Sequence, residues 1–325
     1  MGLKLWISEY ELHLRAHGVR RGALIRLEES GIGVGFADCH PWVERGDLPL
    51  HQQLKMLAVF KQTPLTERTL FFARIDAAAR KAGRGLFEGL TIPKSHWLVM
   101  KCDAHLSCEI ESAAAHGFEL LKIKIGDSEN DIKHLDEVVP LLQKLNLKLR
   151  LDANGKFNAD QFEALLSKCS ASLHERIDFL EDPTPFHAKE WSAISKTFGV
   201  RLARDLGDAT EWILESAAKS TVVLKPAIEN PLPILPTAIK RQSEVVITSY
   251  LDHPLGQLGA AYSAAVALRN SPDVISTCGL ASHLVYESNT FSEQLNLNGS
   301  VLVPPKGTGF GFDDELDKLS WTRLS

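Results

Sequence analysis

Residues 120–125 read Leu-Leu-Lys-Ile-Lys-Ile, residues 147–154 Leu-Lys-Leu-Arg-Leu-Asp-Ala-Asn and residues 177–183 Ile-Asp-Phe-Leu-Glu-Asp-Pro. Each is a short apolar run that closes on charged groups, and between them lie amphipathic stretches near 129–145 and from Asp160 to Lys168. Such alternation predicts strand, helix, strand. The rhythm continues outward on both sides. WLVM at 97–100 precedes a helix around 106–116. VRLARD at 200–205, VVLKP at 222–226 and VVITS at 245–249 follow, with helical stretches at 188–198, 209–218, 234–242 and 256–269, and VISTC at 274–278 comes last. Eight strand candidates, seven of them followed by a helix, predict a parallel sheet closed into a (β/α)7β TIM-type barrel.

The flanks lack this rhythm. Segments 3–15 and 21–29 alternate apolar and polar residues as antiparallel strands do, and a loop with glycine at both turns, residues 17–22, separates them. The glycine-rich run GIGVGFADCHPW ends in a polar loop, and residues 65–81 favour helix. The chain therefore divides into an N-terminal α+β capping domain (1–92), the barrel (93–283) and a C-terminal segment (284–325) that returns to complete the cap.

Bulk composition narrows the function. The 325 residues carry a net charge of -5, so no strongly basic face is implied and neither nucleic acid nor an anionic membrane is an expected partner. No stretch approaches the roughly 20 apolar residues that cross a bilayer. The N-terminus lacks the apolar run of a signal peptide. Five scattered cysteines without CxxC spacing read as reduced thiols of a cytoplasmic protein.

In such barrels the active site is built at the C-terminal ends of the strands. Here those ends deliver Lys122 and Lys124, then Asp152 with Asn154, then Glu181 with Asp182, then Asp205, then Lys225. Singly, each has an ordinary explanation as a strand edge, helix cap or turn. Five in succession at one rim point to chemistry. Asp152, Glu181 and Asp205 are hard oxygen donors without His or Cys, the preference of Mg²⁺, with Mn²⁺ as a substitute. Lys122 and Lys124 share a face, and their mutual repulsion favours one neutral amine, a base near neutral pH. A metal flanked by lysines suits proton removal next to a carboxylate, because the enediolate that forms needs cations around it.

The order KIK, DAN, EDP, Asp, Lys, with spacings of 28, 29, 24 and 20 residues, resembles the enolase superfamily and, within it, the muconate-lactonising-enzyme subgroup. A lysine base working beside Mg²⁺ on an enediolate is the known arrangement of that superfamily, so the pairing rests on the resemblance as well as on the residues. The resemblance implies Lys124 as base, Lys122 as its partner, Asp152, Glu181 and Asp205 as metal ligands and Lys225 as the protonated lysine facing the enediolate. Asn154, Asp182 and Arg150 stand behind them. The short chain, Arg150-Leu151-Asp152 and Ser249 after strand seven are most similar to the o-succinylbenzoate synthases. These dehydrate 2-succinyl-6-hydroxy-2,4-cyclohexadiene-1-carboxylate in menaquinone biosynthesis. Ser249, Gly279 and Arg20 are the candidate contacts to a small-molecule carboxylate, and the protein is expected as a monomer or homo-oligomer. Leu206 replaces a glutamate frequent in the subgroup, and Ala227-Ile228-Glu229-Asn230 stands where many relatives carry a Gly-Gly pair. An N-acylamino acid racemase or a dipeptide epimerase would use the same lysines on opposite faces. Strand eight, Ser276-Thr277-Cys278-Gly279-Leu280, lacks the acidic motif that holds a substrate amine. A binding protein on an inactive barrel is the non-enzymatic alternative. His253 reads as the start of a surface helix, and Trp97, Phe179 and Trp191 read as core.

Overall fold

The structure is a computed structural model describing residues 2–16, 18–126, 128–205, 207–216 and 219–325. His17 and Leu206 lie outside the described residues. The chain begins with three antiparallel strands, β1 (Leu3–His13), β2 (Val19–Glu29) and β3 (Gly33–Cys39), in which Leu5 pairs with Leu27 and Ile25 with Ala37. A single 3-10 turn, Val43–Arg45, precedes α1 (Leu50–Ala58) and α2 (Pro64–Lys81). Helix α2 starts where the sequence chemistry demands: Thr63 caps the backbone N–H of Thr66, the Thr66 side chain answers in kind, and Pro64 occupies the first turn. It then lies across β3 at Gly35, where any Cβ would collide with the Ala73 carbonyl oxygen. Glycine there sets the distance between helix and sheet.

Seven parallel strands follow: β4 (Trp97–Val99), β5 (Leu120–Lys124), β6 (Lys148–Asp152), β7 (Ile177–Glu181), β8 (Leu202–Arg204), β9 (Thr221–Leu224) and β10 (Glu244–Ile247), paired in sequence order. Their crossovers carry α3 (Leu106–Ala115), α4 (Ser128–Glu137), α5 (Val139–Leu145), α6 (Ala159–Lys168), α7 (Ala171–His174), α8 (Ala188–Phe198), α9 (Ala209–Glu215), α10 (Leu235–Arg241) and, after β10, α11 (Pro254–Asn270). The stretch anticipated as one helix over 129–145 is two, because Pro140 sits in the first turn of α5 and cannot continue the ladder of α4.

The eighth expected strand does not form a regular ladder. Residues 274–279 instead make isolated parallel bridges, Val245 with Ile275 and Thr248 with Gly279 on one side, Ser95 with Cys278 on the other. These bridges join β10 to the segment entering β4. Inside the sheet, Phe179, Ala203, Val223 and Val246 pack as a separate apolar layer, all at most 1% exposed. Two residues further along, the same faces carry Glu181, Asp205, Lys225 and Thr248. The period of two thus lifts the ionisable groups directly above a dry plug.

The tail folds as the hairpin β11 (Asn296–Asn298) and β12 (Val301–Val303), then α12 (Asp313–Lys318) and β13 (Thr322–Arg323). Strand β13 pairs with β1, placing Thr322 opposite Ile7 and giving the first sheet the order β13-β1-β2-β3. Phe310 and Phe312 are buried in the common core. Among the described residues no helix is long and apolar enough to cross a membrane.

Candidate active site

Lys122, Lys124, Asp152, Asp205 and Lys225 line one cavity of about 470 Å³ at the C-terminal ends of the strands. Glu181 is buried among them. Lys122 Nζ lies 2.6 Å from Glu181 Oε1 and 3.0 Å from Asp152 Oδ2. Burial alone would drive this ammonium to lose its proton, but the carboxylates of Asp152 and Glu181 outweigh it and raise its pKa. Lys122 therefore stays charged.

Lys124 is the opposite case. Its nearest polar partner is the neutral Asn154, with Nζ 3.4 Å from Oδ1. Burial, with the charges of Lys122 and Arg45 adding to it against Asp152, lowers its pKa to about 8. The surroundings of the pair thus favour the cation at Lys122 and the neutral amine at Lys124. Lys225 contacts Asp205. Burial, Arg45 and Lys122 push Lys225 well below its ordinary value, against the pull of Glu181 and Asp152.

Of the three carboxylates expected to converge, the structure groups Glu181 and Asp205 but adds Asp182 in place of Asp152. One ligand oxygen from each of Glu181, Asp182 and Asp205 lies within 4.8 Å of the others. Asp152 shares Lys122 with Glu181 and accepts from the side-chain amide of Asn154. Asp182 has φ of 40°, in the left-handed region, and its Oδ1 accepts from the backbone N–H of Asp205 at 3.1 Å. Burial and the charges of Glu181 and Asp152 raise its pKa to about 8. Such crowding is costly without a cation of higher charge. Glu181 Oε2 is buried with no hydrogen-bond partner among the described residues. An oxygen-only cluster with an unpaired carboxylate oxygen fits a hard divalent ion.

The remaining sequence candidates divide. Ser249 and Gly279 line the cavity, and Ser249 donates to Ser282 Oγ at 2.7 Å. Arg150 lies deeper, bound to Asp178 and to the backbone oxygen of Thr277. Arg20 faces an outer groove instead, with its Nε 2.9 Å from His40 Nε2 and its guanidinium 4.4 Å from the centre of the Trp42 ring. Trp42, on which it stacks, lines the cavity. His253 does begin α11, capping the N–H of Leu255, but it is 4% exposed and packed against Tyr10 and Phe291, not on the surface. Phe179 and Trp191 are core; Trp97 is half-buried and donates to Glu109.

The lining residues that escaped the sequence reading include Trp42, Arg45 and His96. Arg45, on the 3-10 turn of the cap, places Nη1 2.6 Å from Asp205 Oδ2 and stacks 4.6 Å from the Trp42 ring centre. No periodic pattern announces a single turn. The one available signal is the polar loop closing the GIGVGFADCHPW run.

Two family profiles match the chain. "O-succinylbenzoate synthase, N-terminal domain" covers residues 5–79 and "Enolase C-terminal domain-like" covers residues 106–229. An o-succinylbenzoate synthase of Bdellovibrio bacteriovorus is 28% identical over 94% of this chain and 92% of its own length. Among solved structures, a dipeptide epimerase from Enterococcus faecalis V583 aligns with TM-score 0.76 at 16% identity, over 95% of this chain and 98% of that one. The muconate lactonizing enzyme of Pseudomonas putida aligns with TM-score 0.72 at 16% identity, over 98% of both chains.

Proposed function

We propose that the chain is a member of the enolase superfamily, as its two family profiles and the Bdellovibrio relative support, that it removes a proton next to a substrate carboxylate, and that its reaction is the syn-dehydration of 2-succinyl-6-hydroxy-2,4-cyclohexadiene-1-carboxylate to o-succinylbenzoate. The observation that carries the chemistry is the split between Lys122, held charged by two carboxylates, and Lys124, lowered to about 8. The choice of substrate is supported by the N-terminal family profile and by the Bdellovibrio relative. On this reading the protein is a cytoplasmic hydro-lyase of menaquinone biosynthesis.

Lys124 takes the α-proton, and Lys122 keeps its neighbour's proton affinity low. Elimination with both events on one face lets Lys124 return the proton to the departing hydroxyl. Lys225, across the cavity, faces the enediolate. When bound, a divalent ion such as Mg²⁺ or Mn²⁺ would supply Lewis-acid stabilisation of the negative charge. It would be held by Glu181 and Asp205, with Asp152 or Asp182 as the third carboxylate. Trp42 and Arg45 close the cavity from the cap and limit water around the reacting atoms.

A racemase of N-acylamino acids is the second reading. It is favoured by one observation: Lys124 at the end of β5 and Lys225 just beyond β9 line the same cavity, as a pair of opposed bases requires. The deciding experiment is turnover of the cyclohexadiene substrate against a panel of N-acylamino acids, with Mg²⁺ present. Dehydration dominating the panel supports the synthase, and racemisation without dehydration overturns it. If no substrate shows even α-proton exchange into D₂O, the fold is an inactive binding barrel.

A further inference from the structure

The depth of the cavity holds a histidine that the reaction above does not use. His96 immediately precedes β4, is 4% exposed and lines the cavity. Its Nδ1 lies 3.1 Å from Arg150 Nη1. A guanidinium nitrogen can only donate, so Nδ1 must accept and the ring proton must reside on Nε2. Arg150 has little freedom to turn away. Its Nε donates to Asp178 Oδ2 at 2.8 Å, its Nη1 also to the Thr277 oxygen at 2.6 Å, and its Nη2 to Ser276 Oγ at 3.2 Å.

A second proton on the ring would point at that guanidinium. Burial, with the charges of Arg150 and Lys122, pushes the imidazole well below its ordinary value. The ring is therefore a fixed neutral tautomer. Nε2 has no hydrogen-bond partner among the described residues. A Cβ at position 279 would sit 2.8 Å from Nε2 and 2.7 Å from Thr248 Cγ2, so glycine leaves that approach open.

We propose that His96 is a substrate-contacting residue whose Nε2–H donates a hydrogen bond to a carboxylate or carbonyl oxygen of the bound ligand. The proposal rests on the reading of this cavity as the active site for an oxygen-rich carboxylate. A neutral donor suits the deep end of that cavity. It orients an oxygen without offering a proton that Lys124 could take, and it adds no charge beside Lys122 and Arg150.

The test has a spectroscopic and a kinetic arm, both on the full chain with Mg²⁺. Imidazole ¹⁵N NMR should show His96 protonated on Nε2 and bare on Nδ1 from pH 6 to 9, and adding o-succinylbenzoate should shift the Nε2–H proton. His96→Phe should raise KM, and the Kd of o-succinylbenzoate, about tenfold to a hundredfold, the loss of one hydrogen bond to a buried partner, with a smaller fall in kcat. His96→Gln keeps an N–H donor and should recover part of the loss. A ring protonated on Nδ1, or unchanged KM and Kd in a folded His96→Phe protein, overturns the proposal. Should His96→Phe not fold, the wild-type tautomer and His96→Gln still decide it. If only N-acylamino acids react and their KM depends on His96, the inference stands and the dehydration reading falls. If dehydration proceeds with no dependence on His96, the reverse holds.

Discussion

The rim of the barrel and the cap above it line the same cavity, yet they are built on opposite principles. The rim is periodic. Strands β5 to β9 each deliver an ionisable residue to the same rim, because side chains alternate faces along a strand; Lys124, Asp152 and Glu181 stand in direct register, whereas Glu181 lies opposite Ala203 and Asp205 follows two residues on. The cap contributes Trp42 and Arg45 from an aperiodic loop and one 3-10 turn, and the Arg45–Asp205 pair joins positions 160 residues apart. The rim carries groups whose charge can do chemistry. The cap carries an aromatic wall and a cation that shape what enters. The difference teaches that reactivity here is local in the chain, whereas enclosure is a product of the whole fold.

The sharpest way to break that division is at Lys124. Lys124→Ala should lower kcat by about 10²–10⁴-fold and abolish α-proton exchange into D₂O, measured by NMR, while far-ultraviolet circular dichroism stays unchanged. Exchange surviving in Lys124→Ala but lost in Lys225→Ala for one enantiomer would move the base to the other wall. The pH profile checks the same residue in the unmodified protein. A base must be neutral to act, and Lys124 is lowered to about 8. The rate should therefore rise with pH, nearly tenfold per unit below 8, and level above it. A flat profile from pH 6 to 9 would remove Lys124 from that role.

Within the rim, the third carboxylate can be assigned by Mn²⁺ titration. Glu181→Gln should weaken binding about tenfold to a hundredfold, since it removes the buried oxygen that lacks any partner among the described residues. Of Asp152→Asn and Asp182→Asn, the larger loss identifies the third carboxylate. Equal wild-type affinity in all three variants would dismiss the metal site altogether.

For the cap, Arg45→Met removes a guanidinium that competes with any divalent cation for Asp205. Mn²⁺ affinity should rise several-fold while KM for substrate rises about tenfold, a divergence that calorimetry and steady-state kinetics can separate. Weaker metal binding in Arg45→Met would place Arg45 with the rim's chemistry and erase the contrast drawn above. The smallest effect is expected at Arg20, which faces the outer groove and stacks on Trp42. Arg20→Ala should change KM by no more than about threefold. A larger rise, with kcat unchanged, would mean that the outer groove also handles substrate.

The segment that closes the barrel shows where sequence patterns stop being informative. VISTC reads as a strand equal to the others, but residues 274–279 are held by isolated bridges, by Ser95 and by Arg150. Arg150 reads in sequence as a neighbour of Asp152. Its actual work at Thr277, Ser276 and His96 depends on barrel closure, which brings the third and eighth strand positions within reach of one side chain.

By itself, the sequence determined the alternation of strands and helices and the succession of Lys122, Lys124, Asp152, Glu181, Asp205 and Lys225 at the strand ends. All of these follow from short-range periods of 2 and 3.6 residues that a chain cannot hide. Only the tertiary structure decided that Asp182 joins Glu181 and Asp205, that Lys122 sits between two carboxylates while Lys124 meets the neutral Asn154, and that Arg45, Trp42 and His96 share their cavity. The physical reason is that burial and Coulomb interaction depend on distance in space, and residues such as Arg45 and Asp205 are close in space yet distant along the chain.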